Sequence, residues 1–460
     1  MNIILFSGLL GVLMMIGGLF IKNKRNVSYL AIISMLLLFI LNTVELRSAH
    51  PLIDYPTAGM ILPQKYGLLV NSILLLAGLL YFLLSGRDIE KIGKHVAEYY
   101  ALMFFIFSGI GIVTSYTNLL MLFIGIEIIS IPLYILTGAD KRNLKSIEAA
   151  LKYFLMGSFS TGLMLMGIAL IYGASGSFLI QKMSLEATPI NYNMVAGIIL
   201  LLSSMAFKVS AAPFHFWTPD VYDGAPTVFT SFMATIVKVA AFIGFIRVFE
   251  YSYGVLFHKW QLVMSIIIAL TLLIGNITAV FQQSVKRMLA YSSISQAGFM
   301  LFALFAYNTI AQEGILLYAA AYCLATIGIF AVLARMEDYT YEGFNGFAAK
   351  QPLLAALLTV FLLSLAGIPL TLGFFSKYYM VSAALATGAK FLWLIVLAML
   401  CAAVSVYYYF RVIQAMYFKQ SDAQKGVTVS LPFKIVLAGM AILVVILGIN
   451  PQIILQYLYF

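Results

Sequence analysis

Four ionisable residues lie inside long apolar stretches of the sequence. They are Glu127, Lys208, Lys238 and Lys377. A charge at the centre of a membrane helix costs on the order of 2.5 to 3.5 kcal/mol, so it persists where it acts or where it is paired. Burial favours the neutral form of a lysine, whereas an ionised carboxylate nearby favours the charged form. One carboxylate and three lysines in apolar surroundings can therefore take up and release protons.

The same residue types argue against transport of a metal cation. Sodium or calcium needs several oxygen ligands, and one central carboxylate among three lysines would repel a cation. Structural roles remain as alternatives. For Glu127 and Lys238 the alternative is a static buried ion pair, and for Lys208 and Lys377 it is a structural pair or a lysine that extends to the membrane interface.

Two proline-containing stretches interrupt the apolar runs beside the lysines. Residues 207–226 include Pro213 and Pro219, and residues 366–379 include Pro369. A proline inside a helix removes one backbone hydrogen bond, and in lipid the freed carbonyl must find a partner in protein or in a water-filled cavity. Both stretches therefore predict a broken helix whose backbone at the break faces the protein interior.

Two further titratable residues are candidates for relaying protons. His215, next to Trp217 in the first proline-containing stretch, either packs the break or relays protons, and the sequence favours neither. Lys286 and Arg287 lie at the mouth of an apolar run, where the favoured interpretation is that both side chains reach the membrane interface.

The composition requires these residues to be carried by membrane helices. Of the 460 residues 63% are hydrophobic and 10% are charged, and the mean hydropathy is +1.01, against about 25% charged residues in an ordinary soluble domain. About fourteen runs reach the roughly 20 apolar residues that one bilayer crossing needs. The sequence predicts an all-α integral membrane protein that forms a single polytopic domain over residues 1–460.

The two expected broken helices divide this domain. They lie about five crossings apart, and an odd number of crossings reverses the direction of the chain, so the pattern predicts an inverted repeat with sites near the bilayer midplane. The predicted parts are N-terminal helices at about 1–97, a first repeat at about 98–250, a second repeat at about 251–420 and a C-terminal helix at about 421–460.

Composition and motifs exclude several other functions. The net charge is +10, but the basic residues stand in short connections facing lipid headgroups, which argues against nucleic-acid binding, and their distribution places both termini outside the cytoplasm. Cys323 and Cys401 lie far apart in apolar runs and are expected to pack as small hydrophobic residues. The sequence has no phosphate-binding loop or GxGxxG motif, so we expect no cofactor in this chain.

Three motifs carry a resemblance to a known family: "FKVSAAPFHFWTPDVYDGAPT", "GIPLTLGFFSKYY" and "VKRMLAYSSIS". With the fourteen-span layout, they resemble the antiporter-like membrane subunits of respiratory complex I, the proton-pumping NADH:quinone oxidoreductase, and most of all the N-type members. The resemblance implies two inverted five-helix repeats, each with a broken helix. It also implies a coupled pair, Glu127 and Lys208, in the first half-channel, Lys238 as the central connecting lysine and Lys377 in the second half-channel. Lys286 is carried over as a candidate relay.

The resemblance also implies partners and a location. NADH, flavin, iron-sulfur clusters and quinone are expected on partner subunits, and the chain is expected to contact other membrane-arm subunits, including sister antiporter-like subunits, in a bacterial inner (plasma) membrane. One departure stands after "YSSIS", where many relatives have histidine and this chain has Gln296, which cannot titrate.

Two other functions remain open: a cation/proton antiporter subunit of a multi-subunit exchanger, and a scaffold whose buried charges only pack helices.

Overall fold

The computed structural model describes residues 2–48, 57, 59–182, 191–250, 257–420 and 429–459. Within these ranges the chain is almost entirely helical. The N-terminal part contains α1 (Asn2–Phe20), α2 (Lys24–Ser48), α3 (Lys65–Ile92), α4 (Val96–Val113), α5 (Leu119–Thr137), α6 (Leu144–Ser175), α7 (Tyr192–Lys208), α8 (Trp217–Gly224), α9 (Thr227–Phe232) and α10 (Lys238–Glu250). The C-terminal part contains α11 (Phe257–Val280), α12 (Val285–Met300), α13 (Phe302–Ala306), α14 (Thr309–Leu333), α15 (Phe347–Lys350), α16 (Pro352–Ala366), α17 (Leu372–Leu385), α18 (Leu392–Phe418), α19 (Leu431–Ile449) and α20 (Gln452–Tyr459).

The helices have the length and composition that a bilayer demands. In the described part of the chain, 12 helical segments are long and apolar enough to cross a membrane, and α7 and α16 are shorter apolar helices. Because hydrocarbon offers no hydrogen-bond partner, backbone groups must be satisfied within each segment, which selects helices. The chain is therefore a multi-pass, all-α membrane protein, as its composition predicts. The inverted repeat remains a prediction. Its expected boundaries, at 250/251 and 420/421, adjoin residues 251–256 and 421–428, which lie outside the described residues.

The centre of the bundle is formed by the helices that carry polar side chains. The apolar window of α14 is 100% buried, and that of α12 with α13 is 94% buried. The helices α1, α6 and α18, in contrast, have only a minority of residues buried and present large apolar side chains outward. A membrane protein can expose such faces to lipid or to partner helices, so the polar residues of α12 and α14 face protein.

The first broken helix lies between α7 and α8. Ser210 adopts a left-handed conformation (φ 63°), the Ala211 N–H donates to the Ala206 carbonyl (2.8 Å), and the Ser210 N–H donates to the Phe207 carbonyl (3.0 Å). These two bonds form a Schellman motif, the common way to end a helix. The Trp217 indole Nε1 adds a second hydrogen bond to the Phe207 carbonyl (3.1 Å).

The second broken helix, between α16 and α17, ends in the same motif. Gly367 is the left-handed residue (φ 85°), the Ile368 N–H donates to the Leu363 carbonyl (3.1 Å), and the Gly367 N–H donates to the Ser364 carbonyl (3.0 Å). A side chain at Gly373 would collide with the Ser364 carbonyl, so a glycine there lets α17 lie directly against the end of α16.

Several details of the breaks differ from the sequence-based expectation. We expected one span over about 193–217 with Lys208 inside it, but α7 ends at Lys208. Pro213 and Pro369 lie at the breaks, but both residues are exposed on the surface of the chain. The helices already end at the left-handed residues before them, Ser210 and Gly367. Pro219 is not at the break: it lies in the first turn of α8, where a missing N–H costs no helical hydrogen bond.

Candidate functional site

A threonine links Glu127 of α5 to Lys208 of α7. The Thr161 hydroxyl, on α6, donates to Glu127 Oε1 (2.8 Å) and accepts from Lys208 Nζ (3.4 Å). Lys208 Nζ also donates to Ser130 Oγ on α5 (3.0 Å). The two charged residues are thus neighbours that a hydroxyl group joins.

Lys238 is a buried amine near the centre of the bundle. Its side chain is 2% exposed, and Nζ donates to the carbonyl (3.0 Å) and to the hydroxyl (2.9 Å) of Ser293 on α12. The π-helical turn Met233–Val237 directly precedes it. Such turns change the direction of the side chains that follow and occur often at functional sites. No described carboxylate forms an ion pair with Lys238. The static ion pair of Glu127 and Lys238, which the sequence left open as an alternative, is therefore absent.

Gln296 lies one helical turn beyond Ser293 on α12 and is buried in a polar network. Its amide Nε2 donates to the Leu365 carbonyl (3.0 Å) and to the Tyr409 hydroxyl (3.1 Å). Its carbonyl accepts a hydrogen bond from the Tyr318 hydroxyl. The amide therefore connects α12 to α14, to α18 and to the broken end of α16.

Lys377 of α17 completes the same network. Its Nζ donates to the Leu365 carbonyl (2.8 Å) and to the Ala366 carbonyl (2.9 Å), and it stands 4.9 Å from the centre of the Phe299 ring. The Schellman motif leaves these last two carbonyls of α16 without backbone partners, and buried carbonyls need a donor. The lysine thus supplies the hydrogen bonds that the break removes, and it shares the Leu365 oxygen with Gln296.

A small cavity lies between Lys377 and the centre of the bundle. Its volume is about 10 Å³, and its lining includes Gln296, Tyr322, Ser364 and Lys377. The Tyr322 and Ser364 hydroxyls are buried and have no hydrogen-bond partner among the described residues. One water molecule needs a volume of about 10 to 15 Å³, so the cavity is close to the size of one water.

The two candidate relays lie elsewhere in the structure. Lys286 is 3% exposed and donates to the Asp223 carbonyl (2.8 Å) and to the Ala225 carbonyl (2.7 Å) at the end of α8. The expectation that it reaches the membrane interface was therefore wrong, because these carbonyls bind its amine inside the protein. His215 is buried, its Nδ1 has no described hydrogen-bond partner, and no described hydrogen bond of its side chain joins it to the lysines.

Several polar residues of the site were missed in the sequence. Thr161 and Ser130 are isolated polar residues in apolar helices, and nothing in the sequence marks them as part of a site. Ser293 and the tyrosines around Gln296 could have been found, because "AYSSISQ" is a polar patch within a span and buried polar groups need partners.

The arrangement defines a class. A carboxylate and lysines held at and between two broken helices, within a fully helical membrane domain, are the features of antiporter-like membrane proteins. In the described residues no group of three or more His, Cys, Asp or Glu side chains is placed to hold a metal ion.

The comparisons with known proteins agree with this class. The model of the family "NADH:quinone oxidoreductase/Mrp antiporter, TM" matches residues 116–405. NADH-quinone oxidoreductase subunit N of Cytophaga hutchinsonii is 39% identical over 99% of both chains, and that of Flavobacterium psychrophilum is 36% identical over 100% of both. A chain in the structure of respiratory complex I from Thermus thermophilus has 30% identity and a TM-score of 0.85 over 99% of this chain and 98% of its own.

The chain belongs to the NADH:quinone oxidoreductase/Mrp antiporter transmembrane family. The match begins just before α5 and ends within α18, so it includes both broken helices and all four principal charged residues.

Proposed function

We propose that this chain is a proton-translocating membrane-arm subunit of an NADH:quinone oxidoreductase, of the N type. The observation that carries the proposal is the buried network in which α12 contacts two lysines, Lys238 through Ser293 and Lys377 through the carbonyl that Gln296 shares with it. A buried lysine exchanges protons when its electrostatic surroundings change, and here two such lysines are joined through one helix.

The proposed path begins at Glu127 and Lys208. Protonation or displacement of Glu127 removes the negative charge that favours the charged form of Lys208, so the pair is a switch of proton affinity. The helices α7 and α10 pack against each other, and a shift of charge at Lys208 acts on Lys238 across this contact. Lys238 then passes the proton along α12 toward Lys377 and one face of the membrane.

A water molecule in the small cavity would join the Tyr322 and Ser364 hydroxyls to Lys377. Gln296 cannot accept and release a proton, so the transfer must bypass its amide. The unpartnered Tyr322 and Ser364 hydroxyls offer hydrogen bonds to one water, beside Lys377 in the lining of the same cavity. This arrangement supports a path through hydroxyl groups and water, with the Gln296 amide as a fixed support.

The remaining parts of the enzyme would belong to other subunits. NADH, flavin, iron-sulfur clusters and quinone would be bound by partners, and the outward apolar faces of α1, α6 and α18 would contact lipid and neighbouring membrane-arm subunits. We place the chain in a bacterial inner membrane with both termini outside the cytoplasm, since most of its 27 lysines and arginines then face the cytoplasm.

Substitution of Glu127 by glutamine tests the proposal. Glutamine keeps an oxygen that can accept from Thr161 but removes the charge. In inverted membrane vesicles we expect an assembled complex, by native gel, in which acidification of the interior driven by NADH falls by several-fold. Glu98→Gln is the matched control, because Glu98 is an exposed carboxylate paired with His95 (3.0 Å). This variant should leave the rates of NADH oxidation and of acidification unchanged.

Three other outcomes would decide against the proposal. Unchanged pumping in assembled Glu127→Gln complex would remove Glu127 from the path. Loss of assembly with normal pumping per assembled complex would make the charges structural. Proton movement that needs an imposed cation gradient and no NADH would favour the exchanger.

A further inference from the structure

A long groove lies on the outer surface of the bundle, away from the proposed proton path. It has a volume of about 480 Å³ and lies between α2 and α3, closed by α14 and α20. Its lining is mainly apolar and includes Phe39, Leu76 and Ile454. This volume is within the range of about 300 to 1,000 Å³ typical of sites for small molecules.

The length of the groove matches one leaflet of a bilayer. On α2 its lining extends from Phe39 to Arg47, and on α3 from Lys65 to Leu76. At about 1.5 Å per residue, these stretches run about 12 Å and about 16 Å along the helices. One leaflet contributes about 15 Å, half of the hydrocarbon core of roughly 30 Å. An acyl chain of ordinary length therefore fits beside these helices.

Two cations stand at one end of the groove. Arg47 lies in the last turn of α2 and Lys65 is the first residue of α3. Both side chains are exposed, and neither has a hydrogen bond or an ion pair with another described residue. The nearest carboxylate on α2, Glu45, is 2% exposed and does not line the groove.

The polar side chains deeper in the groove are already satisfied. The Thr43 hydroxyl donates to the Ile40 carbonyl (2.8 Å). The Ser72 hydroxyl donates to the Leu68 carbonyl (3.0 Å) and accepts from Asn42 Nδ2 (2.8 Å). The groove therefore offers an apolar wall and, at one end, two positive charges that pair with none of the described residues.

The location of the two cations calls for an explanation. On the orientation proposed above, Arg47 and Lys65 face away from the cytoplasm, on the side where lysine and arginine are scarce in membrane proteins. Orientation therefore does not account for them. Tyr457 of α20 lines the groove, and tyrosine is enriched at the depth of lipid headgroups.

We propose that this groove binds one anionic phospholipid, with its phosphate between Arg47 and Lys65 and an acyl chain along α2 and α3. The bound lipid would fill the surface between the N-terminal helices and α20 and so fasten the α2–α3 pair to α14. The inference is independent of the proposed proton path.

The test uses the assembled membrane complex and a phosphatidylglycerol that carries a photoactivatable group in its acyl chain. After illumination, mass spectrometry should find the label on peptides of α2, α3 and α20. Unlabelled phosphatidylglycerol should compete several-fold better than phosphatidylcholine. Because one basic residue near an anionic surface contributes a preference of about fivefold, the double variant Arg47→Gln/Lys65→Gln should lose labelling by fivefold or more.

Two further variants separate charge from shape. Lys182→Gln/Lys390→Gln removes two exposed cations outside the groove, on the same proposed face of the membrane, and should keep the labelling of the wild type. Leu76→Trp fills the apolar end with both cations in place and should lower the labelling. Equal competition by phosphatidylcholine, unchanged labelling of the Arg47/Lys65 double variant, or a partner subunit seated in the groove in the assembled complex would each overturn the proposal.

Discussion

The two broken helices end in the same backbone motif but place different side chains on it. At the first break, the neutral indole of Trp217 bonds a carbonyl at the end of α7, and Lys208 turns toward Ser130 and Thr161. At the second break, Lys377 itself bonds the last two carbonyls of α16. Lys208 thus makes no hydrogen bond to the backbone at the first break, whereas Lys377 is hydrogen-bonded to the backbone at the second break.

This difference has a consequence for proton transfer. Lys208 can change its charge without disturbing the end of α7, because its hydrogen-bond partners are the Ser130 and Thr161 hydroxyls. Lys377 loses charge-assisted hydrogen bonds to the backbone when it is deprotonated, and such bonds are about twice as strong as neutral ones. On the proposed path we therefore expect proton release from Lys377 to depend on the stability of the second break, and proton release from Lys208 to depend on the position of Glu127.

The largest expected effect follows from changing Lys377. Lys377→Met removes the proton carrier and leaves the Ala366 carbonyl without a donor, so pumping driven by NADH should fall by about tenfold or more, and the complex should assemble less well. Lys377→Arg keeps the hydrogen bonds and the charge but cannot release a proton. It should restore assembly on a native gel and leave pumping low.

The control for this pair is Lys390→Met, which removes an exposed lysine and should change neither quantity. If Lys377→Arg pumps as well as the wild type, Lys377 only supports the break and the contrast between the two halves disappears.

A smaller effect is expected from Thr161→Val, which tests the hydroxyl between Glu127 and Lys208. The variant loses both hydrogen bonds of this hydroxyl to charged groups, to Glu127 and from Lys208, and such bonds contribute about 1.5 to 3 kcal/mol each. This loss should weaken the coupling of the pair and lower the ratio of protons pumped to NADH oxidised by several-fold, without loss of assembly. Thr161→Ser keeps the hydroxyl and serves as the control. Equal pumping by the valine and serine variants would mean that Glu127 and Lys208 couple without Thr161.

The smallest effect on pumping is expected from Trp217→Phe. Phenylalanine can keep the stacking on Tyr153 (ring centres 4.7 Å apart) but removes the donor to the Phe207 carbonyl. The Phe207 carbonyl keeps its hydrogen bond from the Ser210 N–H (3.0 Å), so the loss is one hydrogen bond of about 0.5 to 1.5 kcal/mol. Thermal unfolding should therefore occur at a slightly lower temperature, while pumping stays within about twofold of the wild type. A loss of pumping as large as that of Lys377→Met would show that both breaks take part in transfer in the same way.

The sequence predicts the broken helices well and their side-chain geometry poorly. Prolines beside buried lysines indicate both breaks, because proline and an unpaired charge are each costly in an apolar helix. Glycine after an apolar run, as at Gly367, marks a helix end. Ser210 adopts the same conformation with no such signal, so α7 was predicted nine residues too long. The burial of Lys286 depends on carbonyls some sixty residues away, and such long-range partners follow from packing.

The shared Leu365 oxygen limits how much the second lysine can slow the reaction. A carbonyl oxygen has two lone pairs, and Gln296 occupies one of them throughout. On the proposed path Lys377 moves away to hand over a proton, and only the Ala366 carbonyl is then left without a donor, at a cost of about 1 to 3 kcal/mol. That barrier corresponds to a slowing of about 5- to 150-fold. The Gln296 amide thus limits the cost of moving Lys377 to one unsatisfied carbonyl.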